Sequence, residues 1–328
     1  MRRSINEEEP GKDETVQLIA RRTIVAGSLA SLAVIRRAIA APPTTIADGT
    51  PIGRGKMLVV QEDSSGRIVA LDSSSYLGAH PTGPSDIIVV GSYCGTRILA
   101  PMFSRGVKAV IATDAGIGKD EAGISGLKHG EQIGVPVAAI VTMSAETSNG
   151  RSTLLGEISR ANVLARALGV VPGQVAYEAA MRLALGPPGK PIPTPLAAEE
   201  APIVVEETSN GRIWATPGST ALKEKIVNDM FCSGSNASRV FSDGALRLAV
   251  KGAIANDAGI AKNNTAVEGV AILGERGVPA AAVSTMSARI GDGLSTWDDG
   301  IISVANPTAT ARGVKVGMTA KEAARLML

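Results

Sequence analysis

Val107-Lys108-Ala109-Val110-Ile111-Ala112-Thr113-Asp114-Ala115-Gly116-Ile117-Gly118-Lys119 recurs 143 positions later as Val250-Lys251-Gly252-Ala253-Ile254-Ala255-Asn256-Asp257-Ala258-Gly259-Ile260-Ala261-Lys262. Working outward, Thr142-Met143-Ser144-Ala145 returns as Thr285-Met286-Ser287-Ala288, Gly91-Ser92 as Gly234-Ser235, and Gly134-Val135-Pro136 as Gly277-Val278-Pro279. Roughly half of the positions aligned between 107–153 and 250–296 are identical, far above chance. At a slightly larger offset Gly66-Arg67-Ile68 matches Gly211-Arg212-Ile213, and Gly169-Val170 with Gly173 matches Gly313-Val314 with Gly317. A repeat of about 120 residues is domain-sized, so the chain reads as an internal duplication.

The repeat has the grammar of an α/β unit. Short apolar runs bounded by Gly, Pro and Asp, at 68–70, 86–90, 107–112 and 135–141, predict buried strands. Stretches of helical length at 97–103 and 125–133 lie between them, and this alternation builds a mainly parallel sheet. A longer helix is expected over 152–168, stopped by Gly169, and another over 175–185, matched by 319–328 in the second copy. Gly186-Pro187-Pro188-Gly189-Lys190-Pro191-Ile192-Pro193-Thr194-Pro195 cannot continue a helix and reads as a linker. The expected organisation is an N-terminal extension over 1–43, a first repeat over 44–186, a Pro-rich linker over 187–200 and a second repeat over 201–328.

Composition narrows the function classes. A chain of 328 residues, 45% hydrophobic, can bury a substantial core in two such units. A net charge of +2, with both signs interspersed, marks neither a nucleic-acid groove nor a membrane-binding face. Eight aromatic residues are too few for a base-stacking platform. With two His and two Cys, a His/Cys zinc site is disfavoured, no cofactor is indicated, and Cys94 and Cys232 are expected to be free buried thiols.

The first forty residues stand outside the repeat. Arg21-Arg22 precedes a weakly apolar run, 24–35, too short to span a bilayer, and Ala38-Ile39-Ala40-Ala41 then meets Pro42-Pro43. Twin arginines, a Gly/Ala/Ser-rich core and an A-x-A site predict a twin-arginine export signal and a periplasmic protein. Glu7-Glu8-Glu9 is unusual in such a signal, and the competing reading is an amphipathic helix in a cytoplasmic protein.

Polar residues retained in both copies fall just after strands: Ser92 and Ser235, Asp114 and Asp257, Ser144 and Ser287. In open parallel sheets the carboxyl ends of the strands form the ligand crevice. Lys119 and Lys262 follow the Asp by five residues in glycine-containing turns. The first turn partly resembles a phosphate-binding loop but has Thr113 for the first Gly and Asp120 for the metal-binding hydroxyl, so nucleotide hydrolysis is disfavoured. A catalytic assignment takes Ser92 or Ser144 as nucleophile, Lys119 as base and Asp114 as orienting group, with Lys262, Asp257 and Ser287 as counterparts. N–H groups around Gly91 and Gly95 would serve an oxyanion, and those near Gly116, with Ser235, a substrate. Cys94 is a weaker nucleophile candidate because no His partner is apparent.

The copies differ beside that set. Lys119-Asp120-Glu121 becomes Lys262-Asn263-Asn264, and Glu146-Thr147-Ser148-Asn149-Gly150 becomes Arg289-Ile290-Gly291-Asp292-Gly293. Arg289, with Asp292 beside it, reads as a carboxylate-binding residue, and the divergence fits one asymmetric site between lobes or one active and one decayed site. In having internal repeats that each hold Ser and Lys, the layout is similar to that of the ring-opening amidohydrolases, without that family's sequence motifs. The leading expectation is a hydrolase of a small amide or cyclic amide. Its rivals are a two-lobed binding protein for a small carboxylate or phosphate, and an assembly protein in which the repeat makes a pseudo-twofold interface. The expected partners are a small molecule and further copies of the chain, with no nucleic acid and no membrane span.

Overall fold

The computed structural model describes residues 50–51, 57–192 and 201–328. The expected export signal and the 43/44 boundary lie outside these residues, as does the linker beyond Ile192. One compact unit, Pro42–Leu328, holds both repeats.

The chain forms two tandem α/β repeats. In the first, β1 (Thr50–Pro51), β2 (Met57–Asp63), β3 (Gly66–Leu71), β4 (Asp86–Tyr93), β5 (Ala109–Thr113), β6 (Val137–Ile140) and β7 (Ile158–Ala161) lie in sequence order across one sheet. The run β3-β4-β5-β6 is parallel, whereas β1, β2 and β7 join antiparallel at the two edges. The second sheet repeats the plan with β8 (Ile203–Thr208), β9 (Gly211–Thr216), β10 (Met230–Asn236), β11 (Gly252–Asn256), β12 (Ala280–Val283) and β13 (Ile302–Ala305). There β9-β10-β11-β12 are parallel and β8 and β13 antiparallel.

The central strands are apolar without alternation because both their faces are covered. In the first repeat α1 (Thr96–Ser104) and α2 (Ser125–Gln132) cover one face, through Leu99, Met102 and Phe103 of α1 and Leu127 of α2. The other face takes α3 (Gly150–Leu154), α4 (Val163–Ala167) and α5 (Ala176–Ala184), the last presenting Ala176, Ala179, Ala180 and Leu183. In the second repeat α6 (Arg239–Leu248) and α7 (Glu268–Glu275) lie on one face. α8 (Gly293–Asp299), α9 (Pro307–Ala311) and α10 (Ala320–Met327) lie on the other. Full burial on both faces explains runs such as Ile87-Ile88-Val89-Val90. The edge strand β8, by contrast, is largely exposed and carries Glu206 and Glu207.

The long helix expected over 152–168 does not form. That segment is α3, β7 and α4, with β7 pairing antiparallel to β6. Gly156 packs so closely that a Cβ there would lie 2.5 Å from Ile140 Cδ1. Asn162 caps α4 by accepting from the Ala165 N–H, while its amide donates to the Val135 carbonyl. The open edge of β6 offers ladder partners that outweigh helical spacing. The second copy shows the same break, signalled there by Asn306-Pro307. The hairpin strands β2 and β8 were not apparent from apolar runs either, because edge strands carry mixed polarity.

Each repeat also buries an acid at its hairpin. Asp86 pairs with Arg67 at 2.6 Å and Asp229 with Arg212 at 2.9 Å. Burial pushes the Asp229 carboxyl up, but hydrogen bonds from Trp214 Nε1 and from the Arg212 backbone and side chain outweigh it, holding the carboxyl below the usual carboxylate range. A depressed folded-state value stabilises above the unfolded value and is lost as pH falls through the folded one. The Asp229 contribution to stability should therefore be constant through neutral pH and be lost below about pH 4. Asp229→Asn should make the acid limb in thermal melts shallower, the remainder coming from other carboxylates held low, among them Asp63 and Asp299; an unchanged limb would exclude Asp229 as a contributor.

Candidate functional site

The retained Asp-Ala-Gly and Thr-Met-Ser-Ala segments meet at a seam between the two lobes. Asp114 follows β5, is buried, and accepts through Oδ1 from the N–H groups of Gly116 (3.0 Å) and Thr142 (2.9 Å). Asp257 accepts from Gly259 (3.0 Å) and Thr285 (2.9 Å) in the same way. Each carboxylate thus ties the loop after one strand to the loop after the next. These loops then cross to the other lobe. Thr142 Oγ1 donates to the Ala258 carbonyl and Thr285 Oγ1 to that of Ala115. The Lys119 N–H donates to the Thr285 carbonyl and the Lys262 N–H to that of Ala145. The threonine contacts return with the two copies exchanged, and the lysine contacts return with a shifted acceptor, Ala145 rather than Thr142, so the seam is pseudo-twofold, with Gly116 against Gly259 at its centre.

The turn backbone is bent to make this seam. Ala115, Ile117, Asp120 and Glu121 have positive φ, as do Ala258, Ile260, Ala261, Asn263 and Asn264 in the second copy. Such conformations cost non-glycine residues about 1–3 kcal/mol each and persist where surrounding contacts over-determine them. The N–H groups near Gly116, expected to hold a substrate, face inward: Ile117 donates to Asp114, Gly118 to Gly116 and Glu121 to Gly118.

The other candidates at this edge are engaged by the protein itself. Ser144 Oγ donates to the Val141 carbonyl and accepts from the Glu157 N–H, and Ser287 Oγ does the same with Ser284 and Ile301. Lys119 Nζ pairs with Asp299 at 2.9 Å across the seam. Lys262 is exposed without an ion-pair partner among the described residues, because the position matching Asp299 is Gly156. Arg289 pairs with Asp292 at 2.9 Å and with Asp120 at 3.2 Å; Asp292 also caps α8. Those two acids raise its guanidinium pKa further. On the opposite side of the pseudo-twofold, Asn263 Nδ2 donates to Glu146 Oε1 at 2.9 Å. The divergence between copies is therefore matched across the seam: Asp with Arg on one side, Asn with Glu on the other. Cys94 and Cys232 are free and fully buried. Burial, with Asp114 nearby, pushes the Cys94 thiol up, and burial pushes Cys232 up to about 12, so neither is a ready nucleophile.

A different polar cluster opens into a cavity. The C-terminal ends of β4 and β10, the first turns of α1 and α6, and a 3-10 turn from each lobe line a pocket of about 110 Å3. Ser92 and Ser235, matched between copies, both face it, with Ser73, Ser74 and Ser75 from one lobe and Ser219 and Thr220 from the other. Ser92 Oγ accepts from the Ser74 N–H at 3.1 Å, and Ser235 Oγ lies 2.8 Å from Ser233 Oγ. Gly91 and Gly95 serve packing: a Cβ on Gly91 would strike the Asn149 and Asp72 backbone, and one on Gly95 the Tyr93 ring. The charged lining residue is Arg97, half-buried and without an ion-pair or hydrogen-bond partner for its guanidinium among the described residues. Sequence reasoning passed over Arg97 because its counterpart is Val240. Seryl and threonyl runs at 73–75 and 219–220 were the available signal.

No family model, curated protein or solved structure matches this chain. Among the described residues, no group of three His, Cys, Asp or Glu side chains is placed to hold a metal ion, and no helix is long and apolar enough to cross a membrane.

Proposed function

We propose that this protein binds a small organic anion in the pocket between its two lobes. The observation that carries the reading is Arg97, a guanidinium without a partner among the described residues, on the wall of a small pocket rich in hydroxyl groups. A guanidinium offers a carboxylate or phosphate up to two parallel N–H donors, and the seryl hydroxyls can donate to its remaining lone pairs. The first-turn N–H groups of Arg97 and Val240 have no intrahelical acceptor, and two helix N-termini add favourable potential. At about 110 Å3 the pocket suits a ligand of a few non-hydrogen atoms; larger metabolites occupy sites of roughly 300–1,000 Å3.

The hydrolase reading draws less support. An acyl transfer at Ser92 or Ser235 needs a base within hydrogen-bond reach, and among the described residues the pocket lining contains no Lys, His, Asp or Glu. Lys119, the expected base, is held by Asp299 at the seam. The leading test is calorimetric titration with acetate, butyrate and inorganic phosphate on wild type and Arg97→Gln. Loss of the charge-assisted bonds should weaken binding by about 10- to 100-fold, since each 1.4 kcal/mol is tenfold. Turnover of a small amide, abolished by Ser92→Ala but insensitive to Arg97→Gln, would favour the hydrolase instead.

An exported capture protein would suit the twin-arginine segment, and N-terminal mass spectrometry from the native host tests this: an intact Met1 or Arg2 excludes cleavage near Ala40. Self-association remains part of the proposal and is read by light scattering.

A further inference from the structure

The pocket is built twice from equivalent elements, yet its two halves differ in chemistry. Ser92 and Ser235 correspond, so hydroxyls approach from both lobes. At the first helical turns the correspondence fails: Arg97 and Ile98 of α1 face Val240 and Phe241 of α6. Beside the latter, Pro217 adds further apolar surface. The nearest cation in sequence on that side, Arg239, is outside the lining and 3.6 Å from Glu268. The Arg97 wall therefore carries a positive charge. Among the described residues the other wall has no charged side chain but an apolar patch at Pro217, Val240 and Phe241 beside the hydroxyls of Ser219, Thr220 and Ser235, across a pocket only large enough for a short ligand.

We infer that the ligand is a monoanion with a short aliphatic tail, held in one orientation, its charged end at Arg97 and its tail at Val240 and Phe241. This rests on the anion-binding reading of the same pocket. A ligand with an anionic group at each end would bring its second charge to a wall that has hydroxyls and the first turn of α6 but, among the described residues, no guanidinium. That charge would be desolvated beside Val240 and Phe241 without an ion-pair partner. A compact anion such as phosphate would satisfy Arg97 but leave the apolar wall uncovered. A short tail covers it and releases its water.

Calorimetry with acetate, butyrate, succinate and inorganic phosphate tests the inference on the wild-type protein. Butyrate should bind at least tenfold more tightly than succinate or phosphate, and several-fold more tightly than acetate. Val240→Arg places a guanidinium at the position matching Arg97, on a half-buried residue of the pocket wall. It should raise succinate affinity at least tenfold and remove the preference for butyrate. If none of the four probes binds wild type, the anion-binding reading falls and this inference with it. If probes bind but succinate or phosphate equals butyrate, the inference alone is overturned. Should Val240→Arg fail to fold, the wild-type ranking still decides. A folded Val240→Arg with no gain for succinate also overturns it.

Discussion

Asp114→Ala is expected to lower the folding free energy by about 2–6 kcal/mol, with a similar loss for Asp257→Ala. The figure follows from two backbone N–H groups, those of Gly116 and Thr142, whose acceptor is the Asp114 carboxylate. Leaving a buried donor unsatisfied costs about 1–3 kcal/mol, and each Asp serves two. The total stability of a folded protein is about 5–15 kcal/mol, so either variant sacrifices a large share. Asp114→Asn retains an oxygen acceptor and should recover more than half of the loss in urea unfolding. An Ala variant within about 1 kcal/mol of wild type would mean that water or a shifted loop replaces the carboxylate. A chemical role for Asp114 predicts the reverse pattern: Asn would abolish activity while stability changed little.

Gly259→Val should be comparably disruptive, at about 3–5 kcal/mol, and for reasons that can be separated. Gly259 has φ +70°, a region that costs a residue with a Cβ about 1–2 kcal/mol. Its Cβ would also lie 2.9 Å from Thr142 Cγ2 and 3.1 Å from Gly116 Cα, across the seam. The Cα belongs to backbone and cannot rotate away, so relief requires the lobes to part. Gly277 supplies the control: its φ is +72°, but nothing stands within 4 Å of its Cβ position. Gly277→Ala should show only the backbone cost, about 1 kcal/mol in chemical denaturation. Equal losses in the two variants would refute a close-packed seam. Only the Gly259 substitution should also make the two lobes melt separately in calorimetry.

Both predictions assign the retained residues to the joining of the lobes. A duplication that preserves Asp, Gly and Thr at strand ends is open to two readings, a repeated active site or a repeated interface, because buried interfaces and catalytic sites both restrict side chains. Among the described residues the hydrogen-bond pattern favours the interface for Asp114, Asp257, Ser144 and Ser287: each accepts from one or two backbone N–H groups at the loops it joins. The charge changes between copies have the same origin. Asp120 with Arg289, and Asn263 with Glu146, are the two pseudo-equivalent contacts of one seam.

The sequence by itself determined the duplication, the α/β class and most central strands and helices. Hydrophobic runs buried on two faces, Gly-Val-Pro turns and a 143-residue offset are local or periodic signals that survive in one dimension. It did not reveal β7 and β13, because their formation depends on the free edges of β6 and β12, which no local propensity records. Nor did it single out Arg97. A candidate sought by agreement between copies cannot be a residue that differs between them. Only the tertiary structure decided which polar residues face each other and which face a cavity. That choice depends on the crossing of two loops at Gly116 and Gly259, where contacts between residues more than a hundred positions apart consume the hydrogen-bonding capacity that the sequence had left open.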